Sequence, residues 1–211
     1  MKNKILLILT PFLYSTGYAE NFNTLNSNTI VSHYNENLNG NYPSLSGKQF
    51  KDLNKSIIDF ISINFDTKDE NYPTEVNFEE IFKNNEILSF SLNYNISNLT
   101  ERYFVKYYVI DLNNKNEINL SEYLKRKNIS QIDIVGSINK FIALCHDNKK
   151  KYPDYCSDMA LQSLLENTKR VNYSNFSSFF VKGNSIGIAI NSSKFTSTFI
   201  YNQKSKHVSL E

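Results

Sequence analysis

The sequence predicts an α+β domain, a mainly antiparallel sheet packed against three or four helices, and three observations carry that expectation. Apolar residues recur every three or four positions in three stretches, around 50–65, 132–145 and 159–165, which is the spacing of one buried helix face. Elsewhere they alternate with polar residues, most clearly at Leu88, Phe90, Leu92 and Tyr94, which is the period of a strand. The order is strand, helix, strands, helices, strands, with no internal repeat and no linker, so the parts belong to a single domain. Composition agrees. A chain that is 40% hydrophobic with 15 Phe and 14 Tyr is too apolar to be disordered. About 190 residues behind a leader suffice for one core and do not demand two.

Residues 1–19 have the layout of a secretory signal. Lys2 and Lys4 precede an apolar run from Ile5 through Leu13 and Tyr14, and Gly17-Tyr18-Ala19 supply the small residues of a cleavage site. The run is about 14 residues, broken by Pro11, and a bilayer span needs roughly 20. An uncleaved signal-anchor is the alternative. No Cys follows the cleavage site to carry a lipid. The expectation is an exported bacterial protein, periplasmic or secreted, whose mature domain is 20–211 and which keeps no stable membrane span after cleavage.

Within the mature part, residues 20–41 are polar except for Thr29-Ile30-Val31 and Tyr34, a leader entering one strand. Tyr42-Pro43-Ser44-Leu45-Ser46-Gly47 has turn chemistry. Phe50, Leu53, Ile57, Phe60, Ile61 and Phe65 mark the first helix, followed by a charged loop at 66–73. From Glu75 the period changes towards a half-buried strand at 87–94. A second strand at 102–111 sets Tyr103, Val105, Tyr107 and Val109 on one face and Phe104, Lys106, Tyr108 and Ile110 on the other. Residues 95–101 suit an antiparallel hairpin with a longish loop.

After a polar turn at 111–116, Ile118, Leu120, Tyr123 and Leu124 enter a short helix capped by Asn119 or Ser121. Ile132, Val135, Ile138, Ile142 and Cys145 form the next helical stripe. Met159, Leu161, Leu164 and Leu165 form another, with Ser157 or Asp158 as its cap. The tail returns to strands at 176–181, 186–190 and 195–201, with a further short one at 208–210. Gly183 supplies the positive φ of the Lys182-Gly183-Asn184 hairpin turn.

Cys145 and Cys156 are the only cysteines and bracket a polar loop closed by Pro153. In an oxidising compartment they are expected to form a disulfide tying two helix ends, worth roughly 2.5–3 kcal/mol for a loop of about 11 residues. The competing assignment is a metal site of Cys145, His146, Asp147 and Cys156. It is disfavoured because neighbours on a helix point about 100° apart, so Cys145 and His146 do not share one ion.

Charge excludes some partners. The chain has 23 Lys and Arg against 21 Asp and Glu, and removing Lys2 and Lys4 leaves the mature protein neutral. Lys149-Lys150-Lys151 is a concentrated basic stretch but far from the stripe a nucleic-acid binder needs, so no nucleic-acid partner is expected. Asn-x-Ser/Thr triplets at Asn54, Asn95, Asn98, Asn128, Asn172 and Asn175 follow from an Asn-rich composition typical of an AT-rich genome.

Catalytic patterns are sparse. There is no Gly-x-Ser-x-Gly elbow to serve His33, His146 or His207, no HExxH, no phosphate-binding glycine loop and no calcium loop. The carboxylate pairs Glu79-Glu80, Asp69-Glu70 and Glu117/Glu122 are expected on loops or exposed helix faces. The expectation is therefore no enzyme, no cofactor and no metal. Tyrosine remains: Tyr72, Tyr94, Tyr103, Tyr107, Tyr108, Tyr123, Tyr152, Tyr155, Tyr173 and Tyr201 suit either an interface or strand cores.

Several segments together resemble a known family. Tyr42-Pro43-x-Leu45-x-Gly47 followed by Leu53-Asn54, Ile87-Leu88-Ser89-Phe90-x-Leu92-x-Tyr94, Tyr108-x-Ile110-Asp111-Leu112 before Ile118-x-Leu120-x-x-Tyr123-Leu124, and Phe179-Phe180-Val181-x-Gly183-Asn184-x-Ile186-x-Ile188 are similar to the extracytoplasmic domain of RsiV-type anti-sigma factors, a domain also found beside polysaccharide deacetylases. Two segments depart from the pattern. Residues 95–101 stand where many members carry Gly-Ala-His, and Ser192-Ser193-Lys194 stand where they carry Pro-Tyr. Only four residues precede the apolar run, which sets aside a sigma-binding role and leaves the outer, partner-sensing domain.

In RsiV-type proteins that domain binds lysozyme, and other members accompany cell-wall enzymes. The resemblance thus implies a non-catalytic protein-binding domain at the cell envelope that recognises or neutralises a cell-wall-acting protein. The expected partner is a lysozyme-like enzyme or a toxin, in an inhibitor or immunity role. The alternative is a peptidoglycan- or carbohydrate-binding accessory module, in which tyrosines replace the missing Trp. A cell-wall hydrolase is the third possibility.

Overall fold

The computed structural model describes residues 25–67, 72–147 and 154–211. The signal expected at 1–19, the Asp69-Glu70 pair, Lys149-Lys150-Lys151 and Tyr152 lie outside the described residues. In chain order the first half contains β1 (Leu25–Thr29), β2 (Leu38–Leu45), α1 (Lys51–Phe65), β3 (Thr74–Lys83), β4 (Ile87–Ser97), β5 (Glu101–Asp111) and β6 (Asn116–Glu117). The second contains α2 (Leu120–Lys127), α3 (Gln131–Asp147), α4 (Met159–Leu165), β7 (Phe176–Lys182), β8 (Ser185–Asn191), β9 (Thr196–Asn202) and β10 (Val208–Leu210). The α+β class is as expected, with the strands divided between two sheets, ordered β1-β2-β3-β4-β5-β6 and β10-β9-β8-β7. Pairing is antiparallel except between β2 and β3.

Strand periodicity explains the layering. On the first sheet Leu88, Phe90, Leu92, Tyr108 and Ile110 point to one face and bury Leu53, Ile57, Ile61 and Phe65 of α1. On the second, Phe179, Val181, Ile186, Ile188, Phe199 and Tyr201 point to one face and bury the apolar stripes of α2, α3 and α4. Each such side chain contributes about 1.5–3 kcal/mol when fully buried. The two helix-free faces meet between Tyr107, Phe180 and Ala189. The layers are helix, sheet, sheet, helices.

This contact overturns the expectation that β4 is half-buried. Ser89 is buried as completely as Leu88 and Phe90, and Ser91 is nearly so, because the second sheet packs over this face. Small residues let the sheets approach, and Ser89 Oγ accepts the Val181 N–H at 3.1 Å. On the other sheet a Cβ at Gly187 would lie 2.0 Å from Phe180 Cε1, so only glycine leaves room for that ring.

The second sheet also closes an edge of the first. β6 pairs with only Ile110 and Asp111, leaving the rest of β5 without a strand on that side. The outward N–H groups of alternate residues go elsewhere. Tyr103 donates to Lys194 O at 2.8 Å, Val105 to Thr196 Oγ1 at 3.0 Å and Tyr107 to Ser178 Oγ at 3.0 Å. Unpaired buried amides are costly, and these contacts remove the penalty.

Other differences have local causes. Tyr42 to Leu45 continue β2 instead of turning. Pro43 sits opposite Ser27 of β1, while β3 pairs only with Leu38 to Gly40, so the proline has a strand on one side only. The β4–β5 hairpin is tight, since Ser97 pairs with Glu101 and leaves Asn98-Leu99-Thr100 as the loop. α3 buries Ile134, Ile138, Phe141, Ile142 and Cys145, whereas Ile132 is 82% exposed. Two overlapping stripes share Ile138, Ile142 and Cys145, and docking on the second sheet selects between them.

Of the alternative caps, Asn119 accepts the Glu122 N–H at 2.9 Å and Asp158 the Leu161 N–H at 2.8 Å. Just past α1, Asp66 accepts the N–H groups of His33, Tyr34 and Asn35 at 2.8, 2.7 and 2.9 Å. Burial acts to raise its pKa, but these three donors outweigh burial and hold the carboxyl below its usual range.

Candidate binding groove

Between the second half of α3 and β10 runs a groove of about 500 Å³. Its floor follows from the helical spacing of α3, which places Phe141 edge-on to Phe199 at 5.9 Å and leaves Leu144 one turn nearer the surface. The far wall is Tyr155, whose ring lies 5.2 Å from that of Phe141. Tyr155 is held there covalently. Cys145 in the last turns of α3 is bonded to Cys156, with Cα atoms 5.5 Å apart, and Cys156 belongs to the 3₁₀ turn Asp154–Ser157 that carries Tyr155. The thiols that the sequence paired thus fasten one wall of the groove to its floor.

The near wall is β10, with Val208 and Leu210 turned towards the helices and Ser209 away from them. The turn into β10 is preset. Asn202 Oδ1 accepts the N–H groups of Lys204 and Ser205 at 3.0 Å, and Lys206 takes a φ of 54°. Lys206 Nζ meets Asp133 of α3 at 2.8 Å and its carbonyl accepts from Ser137 Oγ at 3.3 Å. The hydrogen bond to Asp133 raises the Lys206 pKa, and the same bond lowers that of Asp133. Both are exposed, so the pair orients the turn more than it stabilises the fold.

At the opposite end, Glu211 Oε2 accepts from the Tyr107 hydroxyl at 2.7 Å, and that hydroxyl also meets Thr198 Oγ1 at 2.9 Å. Burial is the main reason the Tyr107 pKa is pushed far above the ordinary tyrosine value. Lys140, Asp158 and His207 complete a polar rim. An apolar trough with a polar rim desolvates a guest side chain and orients its backbone.

The other residues singled out from the sequence are dispersed among several surroundings. The His33 amide donates to Asp66, the His146 ring meets Thr168 O at 3.3 Å, and His207 stands on the groove rim. Among the described residues no three His, Cys, Asp or Glu are arranged to hold a metal ion. Glu79 and Glu80 are on β3, not on a loop or helix, and with Glu211 and Lys182 they border a second, polar depression of about 460 Å³. Glu122 lies in the first turn of α2 and pairs with Arg126. Glu117 on β6 and Lys106 on β5 border a third depression of about 350 Å³. Burial raises the Glu117 pKa and lowers that of Lys106, whose Nζ lies 4.0 Å above the Phe60 ring.

Tyrosines serve mainly the interior. Tyr107, Tyr108, Tyr123 and Tyr201 are buried, and burial pushes the half-buried Tyr94 up to about 12. Exposed rings are Tyr34, Tyr72, Tyr103 and Tyr155. Tyr103 also joins the two sheets, through its amide on Lys194 O and its ring parallel to that of Phe195 at 6.2 Å. The groove itself was not legible beforehand, although its parts were: the thiol pair, the short strand at 208–210 and the α3 stripe.

No protein-family model matches the chain, and no curated protein matches it. Similar solved structures are DUF3298 family proteins. One is a family member from Bacteroides fragilis NCTC 9343, with 16% identity, 82% of this chain and 85% of that chain covered, and a TM-score of 0.45. Another is from Pseudomonas aeruginosa PAO1, with 8% identity, the same coverages and a TM-score of 0.43.

Proposed function

We propose that this chain is an exported, non-catalytic protein-binding domain that recognises or neutralises a protein acting at the cell wall, either a lysozyme-like muramidase or a toxin. Export rests on the signal at 1–19 and on a pair of cysteines bonded to one another, a state that persists in oxidising compartments. No helix among the described residues is long and apolar enough to cross a membrane. The observation that carries protein recognition is the α3–β10 groove, an apolar trough whose wall is fixed by the disulfide and whose opposite side is a strand edge. The mechanism is steric: a rigid sheet and its flanking loops cover the partner's cleft.

The exposed Tyr155 ring in the same groove favours the second reading, a sugar-stacking module for peptidoglycan. One experiment separates the two. The protein, purified with its disulfide intact, is immobilised and offered lysozyme and purified periplasmic toxins, and in parallel is sedimented with cell-wall sacculi. Micromolar or tighter capture of one of those proteins, with the sacculi leaving it in solution, is expected. Co-sedimentation with sacculi and no protein capture would replace the proposal with the carbohydrate reading.

A further inference from the structure

β10 is the end strand of its sheet, and among the described residues it pairs with β9 alone. The hydrogen bonds fix which groups stay open. Asn202 donates to the His207 carbonyl at 2.9 Å and Glu211 donates to the Thr198 carbonyl at 3.1 Å. In an antiparallel pair the bonded positions alternate, so residues 207, 209 and 211 face β9. The N–H and C=O groups of Val208 and Leu210 therefore face away from it, along the groove.

The other sheet ends differ. β7 is packed against the first sheet through Ser178 and Val181. β6 spans only Asn116 and Glu117. The depression beside the end of β1 is about 140 Å³. Among the described residues, β10 is the end strand that combines an open edge with a large apolar trough on the helix side of its sheet.

We propose that the groove binds an extended segment of a partner protein, which adds to β10 as a fifth strand of the second sheet and carries apolar side chains at alternate positions. This rests on the protein-binding reading above and names its chemistry. A strand laid against β10 exchanges backbone hydrogen bonds with Val208 and Leu210. Its alternate side chains turn to the helix side, where Phe141, Leu144 and Tyr155 receive them, and the intervening ones turn to the Ser209 side, which is exposed. The edge is already ordered by the Lys206–Asp133 and Ser137 contacts, so little backbone entropy is lost on docking. β10 covers only Val208 to Leu210, at about 3.3 Å per residue, which suits a segment of roughly three to five residues.

A random nonapeptide library displayed on phage, selected on the oxidised protein, is expected to yield a consensus with apolar residues at every second position. Binding of the selected peptide should slow amide exchange at Val208 and Leu210 at least tenfold and leave Ser209 and Glu211, already bonded to β9, unchanged. N-methylation of the peptide at alternate backbone nitrogens should weaken it at least tenfold, and at the intervening ones should not. Leu210→Pro removes an N–H that β9 does not use, so it should weaken binding well beyond Leu210→Ala in a protein that still folds.

A library without a period-two consensus, or a bound peptide that leaves Val208 and Leu210 exchanging as before, overturns the strand-addition proposal. So does a second copy of the chain on the edge, seen as a dimer that Leu210→Pro dissolves. Capture of lysozyme or toxin unaffected by Leu210→Pro would overturn strand addition and leave the protein-binding function standing. Absence of any capture strikes the function itself.

Discussion

At the residue scale, Asp111 shows how one side chain joins three elements. Its Oδ1 accepts the N–H groups of Asn113 and Asn114 at 2.9 Å, which shapes the turn between β5 and β6, and its Oδ2 accepts from Asn114 Nδ2 and from Arg126 of α2. Burial of the carboxylate favours its neutral form, but the amides and the guanidinium outweigh burial and lower its pKa to about 2. A depressed carboxyl pKa stabilises the fold above the unfolded value near 3.8, and the contribution fades as the pH falls through the folded value of about 2. Asp111→Asn should therefore cost on the order of 2 kcal/mol at pH 6. In guanidinium titrations the gap to the parent should narrow between pH 4 and pH 2. A gap independent of pH would assign the loss to packing. Local bonds such as the Asn119 and Asp158 caps were legible in the sequence because donor and acceptor are three residues apart. The Arg126 contact was not, since it depends on where α2 lies over the turn.

At the element scale, the disulfide is the feature most readable from sequence, because two cysteines in an exported chain leave one intramolecular pairing. Its effect on α3 and Tyr155 was not readable. Replacing both cysteines by Ser removes a closure over a sequence separation of 11 and should cost roughly 2.5–3 kcal/mol. For a chain of this length that corresponds to a melting temperature lower by roughly 5–12 °C. Calorimetry checks it, and an unchanged melting temperature would mean that the loop is held by other contacts. α3 illustrates the limit of periodicity. Ile132 and Ile134 both begin acceptable stripes, and only the sheet beneath the helix decides that Ile134 and Phe141 are covered while Ile132 stays in water. β4 fails in the opposite sense. Its serines read as a solvent face, yet the Ser89 hydroxyl finds its partner across the sheet interface and that of Ser91 accepts from Asn93 Nδ2, so both are buried without penalty.

At the scale of the whole molecule, two sheets that share no strand are joined by hydroxyls. Ser178 and Thr196 accept the open-edge amides of Tyr107 and Val105. Ser178→Ala with Thr196→Val leaves both amides unpaired, at about 1–3 kcal/mol each. Urea denaturation should show the combined loss, and hydrogen exchange at Val105 and Tyr107 should quicken while β8 amides keep their protection. Equal acceleration throughout would mean that the sheets unfold as a single unit irrespective of these bonds.

The chain by itself determined its class, its helices and most of its strands (β2 reads as a turn), most caps and the thiol pair, because each follows from backbone periods or from partners a few residues apart. Only the tertiary structure decided that there are two sheets, which stripe of α3 is covered, and that the β5 edge is closed while the β10 edge stays open beside a trough. Those outcomes depend on hydrogen-bond partners 71 to 92 residues apart, such as Tyr107 with Ser178 and Val181 with Ser89, and no local pattern records which distant hydroxyl will reach a given amide.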